Sequence, residues 1–290
     1  MDTQRLRRSP VVLLAGGAAK PELQAAARVK CSYEIAYPGA PDQGHRLLHN
    51  CIDAWRGAGF TNIFVYGDAE RISPLLARDD YSKLVKVLPE PKGGTTSLSA
   101  SVFEVLALIE PHLAEGSDRL ILSASDMPFL TADSITDMLR EIDRQIPADS
   151  EPSIVWPVCR VSAYKRRRGD LSGFSCTKLP LSGGELTGGN IFFVEKKKLH
   201  ELRDVVEKAT ASRKGTLKLA WLLGPMTVLK LALSLRFAGL RFSVPELEQL
   251  VADKLNVTMR AIPCDIPGLS VDIDDKDRYD ALRAYYQKWH

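Results

Sequence analysis

Short apolar runs alternating with helix-length segments are the feature that most narrows what this chain can become. Val11-Val12-Leu13-Leu14-Ala15 is apolar throughout and stops on Gly16-Gly17, the pattern of a strand buried on both faces that runs into a loop. Residues 47–59 space apolar side chains for a helix and stop on glycine. Residues 62–66 read as a second strand, 98–113 as a helix, and 119–123 as a third strand entering the polar turn Ala124-Ser125-Asp126. Thr131 is placed to cap a helix over 133–142, and 153–158 is a further strand. Such alternation predicts an α/β fold: three layers, a mostly parallel sheet with helices on both faces. Ligands of open α/β sheets gather beyond the carboxyl ends of the strands. Gly16-Gly17 and Asp126 both fall at such ends.

The second half reads differently. Residues 164–169 form a basic loop, and 183–193 a glycine-rich approach to another strand. Residues 199–208 and 244–255 read as helices, 216–240 is apolar with Lys218, Lys230 and Arg236 interspersed, and 270–274 followed by a helix over 276–287 closes the chain. No repeat, low-complexity tract or linker divides it. One domain over 1–290 with a helical insertion at 197–256 is the expected organisation.

A chain of 290 residues can bury a large core. A net charge of +3 gives no reason to invoke a nucleic-acid partner. The five cysteines contain no CxxC pair and lie at no metal-ligand spacing, which argues against structural zinc. The apolar run at 11–15 is too short for a signal-peptide core, so a reducing cytoplasm is expected. The 216–240 stretch is interrupted by Gly224-Pro225 and carries three cations, which argues against a transmembrane span. An amphipathic helix in peripheral contact with a membrane, or packing on the sheet or on a second copy in a homo-oligomer, both remain open.

Five constellations could carry chemistry. Leu14-Ala15-Gly16-Gly17 with Lys20 offers backbone N–H groups without a Cβ in the way and a point charge for phosphate. It is neither GxGxxG nor a P-loop, and Gly-Gly after a strand is often only a turn. Ser125-Asp126-Met127-Pro128 puts a carboxylate at a strand end, suited to Mg²⁺ beside nucleotide phosphates or, more plainly, to capping the next helix. In Val271-Asp272-Ile273-Asp274-Asp275 alternation sets Asp272 and Asp274 on one face, where they repel unless a cation or basic group lies between them. Asp275 reads as the cap of the last helix. Thr187-Gly188-Gly189-Asn190 opens a surface with one amide. Gly93-Gly94-Thr95-Thr96-Ser97 leads into a helix whose N-terminus suits phosphate or base-edge contacts.

In this order the segments LLAGGAAKPEL, GGTTSLS, SASDMPFLT, TGGNIFFV and VDIDDKDRYDAL resemble the MobA-like NTP transferases over roughly residues 11–285. The resemblance implies a Rossmann-like, GT-A-type nucleotidyltransferase sheet. It also implies transfer of an NMP from an NTP to a phosphorylated small-molecule acceptor, with release of pyrophosphate. Leu14, Ala15, Gly16, Gly17, Lys20, Gly93, Gly94, Ser97 and Ser125 would bind the nucleotide. Lys20 and Asp126 would be catalytic, with Asp126 and Asp272 holding Mg²⁺. Thr187, Gly188, Gly189, Asn190 and Lys214 would face the acceptor.

Two departures stand out. Residues 36–46 lack the lysine many relatives carry before the first long helix, leaving His45 or Arg46, and the usual arginine after the opening loop is absent, with Arg28 and Lys30 nearby. The rivals are a nucleotide-sugar-dependent glycosyltransferase and a catalytically silent scaffold. The first is disfavoured because Ser125-Asp126-Met127 carries a single carboxylate.

Overall fold

The computed structural model describes residues 3–15, 30–33, 46–91, 98–112, 118–165, 171, 173–174, 176–201, 203, 239 and 241–289. After a short helix α1 (Thr3–Leu6) come β1 (Val11–Leu14), α2 (Leu47–Gly57), β2 (Ile63–Gly67), α3 (Ala69–Ala77) and β3 (Lys86–Pro89). They are followed by α4 (Leu98–Ile109), β4 (Arg119–Ala124), α5 (Ala132–Gln145) and β5 (Ile154–Arg160). The second half supplies β6 (Leu179–Leu181), β7 (Gly184–Gly188), β8 (Ile191–Glu195), α6 (Lys196–Glu201), α7 (Val244–Leu255), β9 (Met259–Cys264) and α8 (Lys276–Trp289).

One sheet runs in the order β3-β2-β1-β4-β8-β5-β7-β6. The β3-β2-β1-β4 half is parallel throughout, and from β4 on through β8, β5, β7 and β6 each strand pairs antiparallel with the one before. Along β5 one edge is shared: Ile154 and Val155 pair with β8, while Val158 to Arg160 pair with β7. β9 runs parallel along the other edge from Ile154 to Cys159.

Period-two alternation divides the strand side chains between two cores. Val11, Leu13, Ile63, Val65 and Ile121 pack with Leu48, Ile52 and Trp55 of α2 and with Ile135, Met138, Leu139 and Ile142 of α5. Val12, Phe64, Tyr66, Leu120 and Leu122 pack with Val102, Val105, Leu106 and Ile109 of α4 on the opposite face. This is the expected three-layer sandwich, with each fully buried aliphatic or aromatic side chain contributing about 1.5–3 kcal/mol.

Local signals fix the boundaries. Ser134 N–H donates to Thr131 Oγ1 at 3.1 Å while the Thr131 N–H donates to Ser134 Oγ at 2.9 Å, so α5 starts on a reciprocal cap. α7 starts likewise on Ser243 and Glu246 and stops on Asn256 in the left-handed region. Of the insertion expected at 197–256, the described part is helical in α6 and α7, and residues 204–238 lie outside the described residues. Among the described residues no helix is long and apolar enough to cross a membrane.

Residues 270–274 depart from the expected strand, for they join no ladder. Their surroundings bond singly instead, Ile273 N–H to the Asp126 carbonyl at 3.2 Å and Asn190 N–H to the Leu269 carbonyl at 2.8 Å. The alternation itself holds, with Val271 and Ile273 buried and Asp272 and Asp274 on the more open side.

Candidate functional site

Because β1 and β4 are parallel neighbours, the loops that follow them leave the same edge of the sheet. Ser125, 3% exposed, donates its hydroxyl to the Leu14 carbonyl at 2.8 Å. Ala15 donates its N–H to the Tyr66 carbonyl at 2.7 Å. The two predicted nucleotide loops are therefore pinned to one another where they leave the sheet.

The turn after β4 is held carbonyl by carbonyl. Ile273 N–H reaches the Asp126 oxygen. Asn50 Nδ2 donates to Met127 at 3.0 Å and to Leu130 at 3.1 Å, and Tyr286 donates its hydroxyl to Pro128 at 3.3 Å. Gly268 lies so close to the Phe129 carbonyl that a Cβ there would sit 2.3 Å from the oxygen. The Phe129 ring meets Phe174 and Tyr285 edge-on, with centroids 5.2 and 5.0 Å away.

The Ile273 bond brings the two predicted carboxylate segments together. Arg278 of α8 pairs with Asp272 and lies 3.8 Å from Asp274. It is the basic group that two carboxylates on one face require. Asp275 caps α8, its carboxylate accepting from Arg278 N–H at 3.0 Å, as expected.

Asn190 closes the same edge. Its carbonyl accepts from Ala124 N–H at 2.9 Å, one residue before Ser125. Its side-chain Nδ2 is buried with no hydrogen-bond partner among the described residues. Thr187, 5% exposed, sits in β7 opposite Cys159. Gly188 and Gly189 have a packing reason to be glycine. A Cβ would stand 2.7 Å from the Trp156 ring at the first and 2.2 Å from the Pro157 carbonyl at the second. Trp156 Nε1 donates to the Gly189 carbonyl at 2.9 Å.

Gly16, Gly17, Lys20, Gly93, Gly94, Ser97 and Lys214 lie outside the described residues, as do Arg28 and His45. Arg46 is engaged locally, donating to the Ser32 carbonyl at 3.0 Å. Two thiols back the edge. Burial, and then the negative charge of Asp126, push Cys31 up to about 12. Burial foremost and the Asp126 charge also raise Cys51, against the lowering pull of its bond to the Met127 carbonyl.

The MobA-like NTP transferase domain matches residues 11–169, more than half of the chain. The chain belongs to that family. A hypothetical transferase from Thermus thermophilus superposes with a TM-score of 0.68 at 23% identity, covering 94% of this chain and 99% of that one. A CMP:2-keto-3-deoxy-manno-octonic acid synthetase complexed with CTP gives a TM-score of 0.54 at 12% identity, over 97% of this chain and 99% of that one. A nucleotidyl transferase from Methanothermobacter thermautotrophicus gives 0.50 at 13%, over 97% and 98%. At such identities the likeness is one of fold. No curated protein matches.

Within this MobA-like framework several residues at the site's edge escaped the sequence reading. Asn50 was legible only as a polar residue inside the apolar helix LLHNCIDAW. Arg278 stands four residues after Asp274, a helical pairing distance, but which carboxylate it serves depends on the turn between them. Gly268 and Tyr286 carry no sequence signal, since their role is defined by where Phe129 and Pro128 end up.

Proposed function

We propose that this MobA-like transferase moves an NMP from an NTP to a phosphorylated small-molecule acceptor, with Mg²⁺ as cofactor and pyrophosphate as the second product. The observation that carries the reading is the hydrogen bond from Ile273 to the Asp126 carbonyl, which joins the loop after β4 to the Asp272–Asp274 stretch at the edge where β1 and β4 end. The donor set fits the metal: Mg²⁺ takes one or two carboxylates and completes its octahedron with phosphate oxygens and water. Among the described residues no group of three or more His, Cys, Asp or Glu is arranged to hold a metal unaided. Asp126 and Asp272 would hold it. Bound there, the ion would neutralise triphosphate charge.

The chain's own part is positioning and charge. Leu14, Ala15 and Ser125 would line the nucleotide end together with Gly16 and Gly17, Lys20 would meet the phosphates, and Gly93, Gly94 and Ser97 would serve the base. Asn190, whose buried Nδ2 has no hydrogen-bond partner among the described residues, would address the acceptor, together with Thr187, Gly188, Gly189 and Lys214. An acceptor phosphate oxygen attacks the α-phosphorus, a new phosphoanhydride forms, and pyrophosphate leaves with the electrons of the broken bond.

The test is a thermal-shift screen of ATP, GTP, CTP and UTP with and without Mg²⁺, followed by pyrophosphate release with phosphorylated acceptors. A Mg²⁺-dependent rise with one NTP supports the reading and names the donor. A rise only with a UDP- or GDP-sugar replaces it with glycosyl transfer, and no rise with either panel replaces it with a silent scaffold.

A further inference from the structure

We propose that Asn50 is the positioning residue that fixes the direction of the Asp126 carboxylate. The inference rests on the reading of Asp126 as a metal-holding group.

Asn50 is the fourth residue of α2 and is 4% exposed. A buried amide must spend its N–H groups on partners. Both protons of Nδ2 go to the loop after β4, to Met127 O at 3.0 Å and Leu130 O at 3.1 Å, while Pro128 O at 3.5 Å is beyond a good bond. One nitrogen thus gathers two carbonyls three residues apart, and the loop folds around it.

The neighbours complete the constraint. On the upstream side Ser125 is bonded to Leu14, and the Asp126 carbonyl takes the Ile273 N–H. On the downstream side the Met127 carbonyl takes Asn50, with the Cys51 thiol 3.7 Å away. The peptide planes on both sides of Met127 are therefore held, which fixes the backbone on the carboxyl side of Asp126. Other side chains hold this loop at Pro128 and Phe129. Asn50 alone among the described side chains holds both Met127 and Leu130 by an amide.

The experiment measures Mn²⁺ binding by EPR, with each of the four NTPs present in turn, since Mn²⁺ takes the same oxygen donors as Mg²⁺. Wild type, Asn50→Ala, Asp126→Ala and the double variant are compared, with circular dichroism confirming that each is folded. Asn50→Ala is expected to weaken Mn²⁺ binding about tenfold or more and to lose turnover, since small misplacements of a site group cost up to about 10²-fold. In the Asp126→Ala background it should cost nothing further, because the two act through one carboxylate. Asn50→Ser, which keeps a shorter donor, should fall between wild type and Asn50→Ala, and it stands in if the alanine variant does not fold. A folded Asn50 variant with wild-type Mn²⁺ binding, beside an Asp126→Ala that binds poorly, reduces Asn50 to a structural amide and overturns the proposal. Wild-type binding by Asp126→Ala instead removes the metal reading itself, and this inference with it.

Discussion

Arg278 reaches back across the start of α8 to pair with Asp272, while its guanidinium also lies 3.8 Å from Asp274. The pair is largely sheltered, with side chains 18% and 24% exposed. Removing one partner of such a pair leaves the other charge uncompensated. Arg278→Gln should cost about 1–2 kcal/mol, discounted from the fully buried case. That corresponds to a fall of roughly 2–8 °C in Tm for a domain of this size. Mg²⁺ should restore more of that loss in the variant than it adds to wild type. An unchanged Tm in metal-free buffer would show the contact to be incidental.

Asp126→Asn keeps shape and removes charge. Pyrophosphate release should fall about 10²-fold or more, the scale on which a single electrostatic group at a reacting centre acts, while far-UV circular dichroism stays as in wild type. Lys20→Ala should raise the KM for the NTP or lower kcat strongly. Wild-type kinetics in either variant would remove that residue from the site.

Gly189→Ala and Gly183→Ala make a matched pair. The first drives a methyl to 2.2 Å from the Pro157 carbonyl, while nothing stands within 4 Å of the second. The first should lose about 2–4 kcal/mol or fail to accumulate as soluble protein, and the second should stay within about 0.5 kcal/mol in urea unfolding. Equal stability of the two would mean that β7 can move away from β5 at little cost.

Thiol chemistry should separate the cysteines. Burial lifts Cys31, Cys159 and Cys264 to about 12 and raises Cys51 as well, while Cys176 is only half-buried. Since the thiolate is the nucleophile, a disulfide reagent at pH 8 should titrate one fast thiol, lost in Cys176→Ser, and the remaining four after denaturation. The folded pKa values lie above the unfolded ones. Stability from these groups is therefore complete below about pH 9 and declines as the pH rises from there toward 12, where only the unfolded chain ionises. A second fast thiol in the native protein would contradict the burial.

The sequence was most readable where one force acts alone. Strands β1, β2 and β4 sit inside the sheet, so burial on both faces writes itself as continuous apolar runs such as Val11–Leu14 and Leu120-Ile121-Leu122. The start of α5 was likewise legible, because Thr131 acts on backbone within one turn, and 244–255 reads as the helix that α7 forms. Harder cases were those in which signals compete. β3 is an edge strand of four residues with a lysine and a proline, β9 mixes Arg260 with Pro263, and α3 contains Pro74. β7 was read as a glycine-rich approach because Gly184 and Gly188 mask a strand whose glycines answer to Trp156 and to a turn with φ of 118°. At the site, order and spacing pointed to Asp126 and Asp272. The clamp of Asn50 and the counter-charge of Arg278 depend on tertiary contact, which no local pattern encodes.

The bond between Ile273 and Asp126 also has a meaning in time. β1, β2, β3 and β4 can be made and paired while the ribosome is still far from residue 273. At typical elongation rates the roughly 150 intervening residues take about 7–30 s to synthesise. Throughout that interval a nascent chain could hold its parallel strands and yet lack the second carboxylate segment, the Tyr286 contact and the arginine that balances them. On the proposed reading, competence is the last property such a chain acquires. On that reading, a translation product cut short before Asp272 would carry the sheet but could not consume nucleotide.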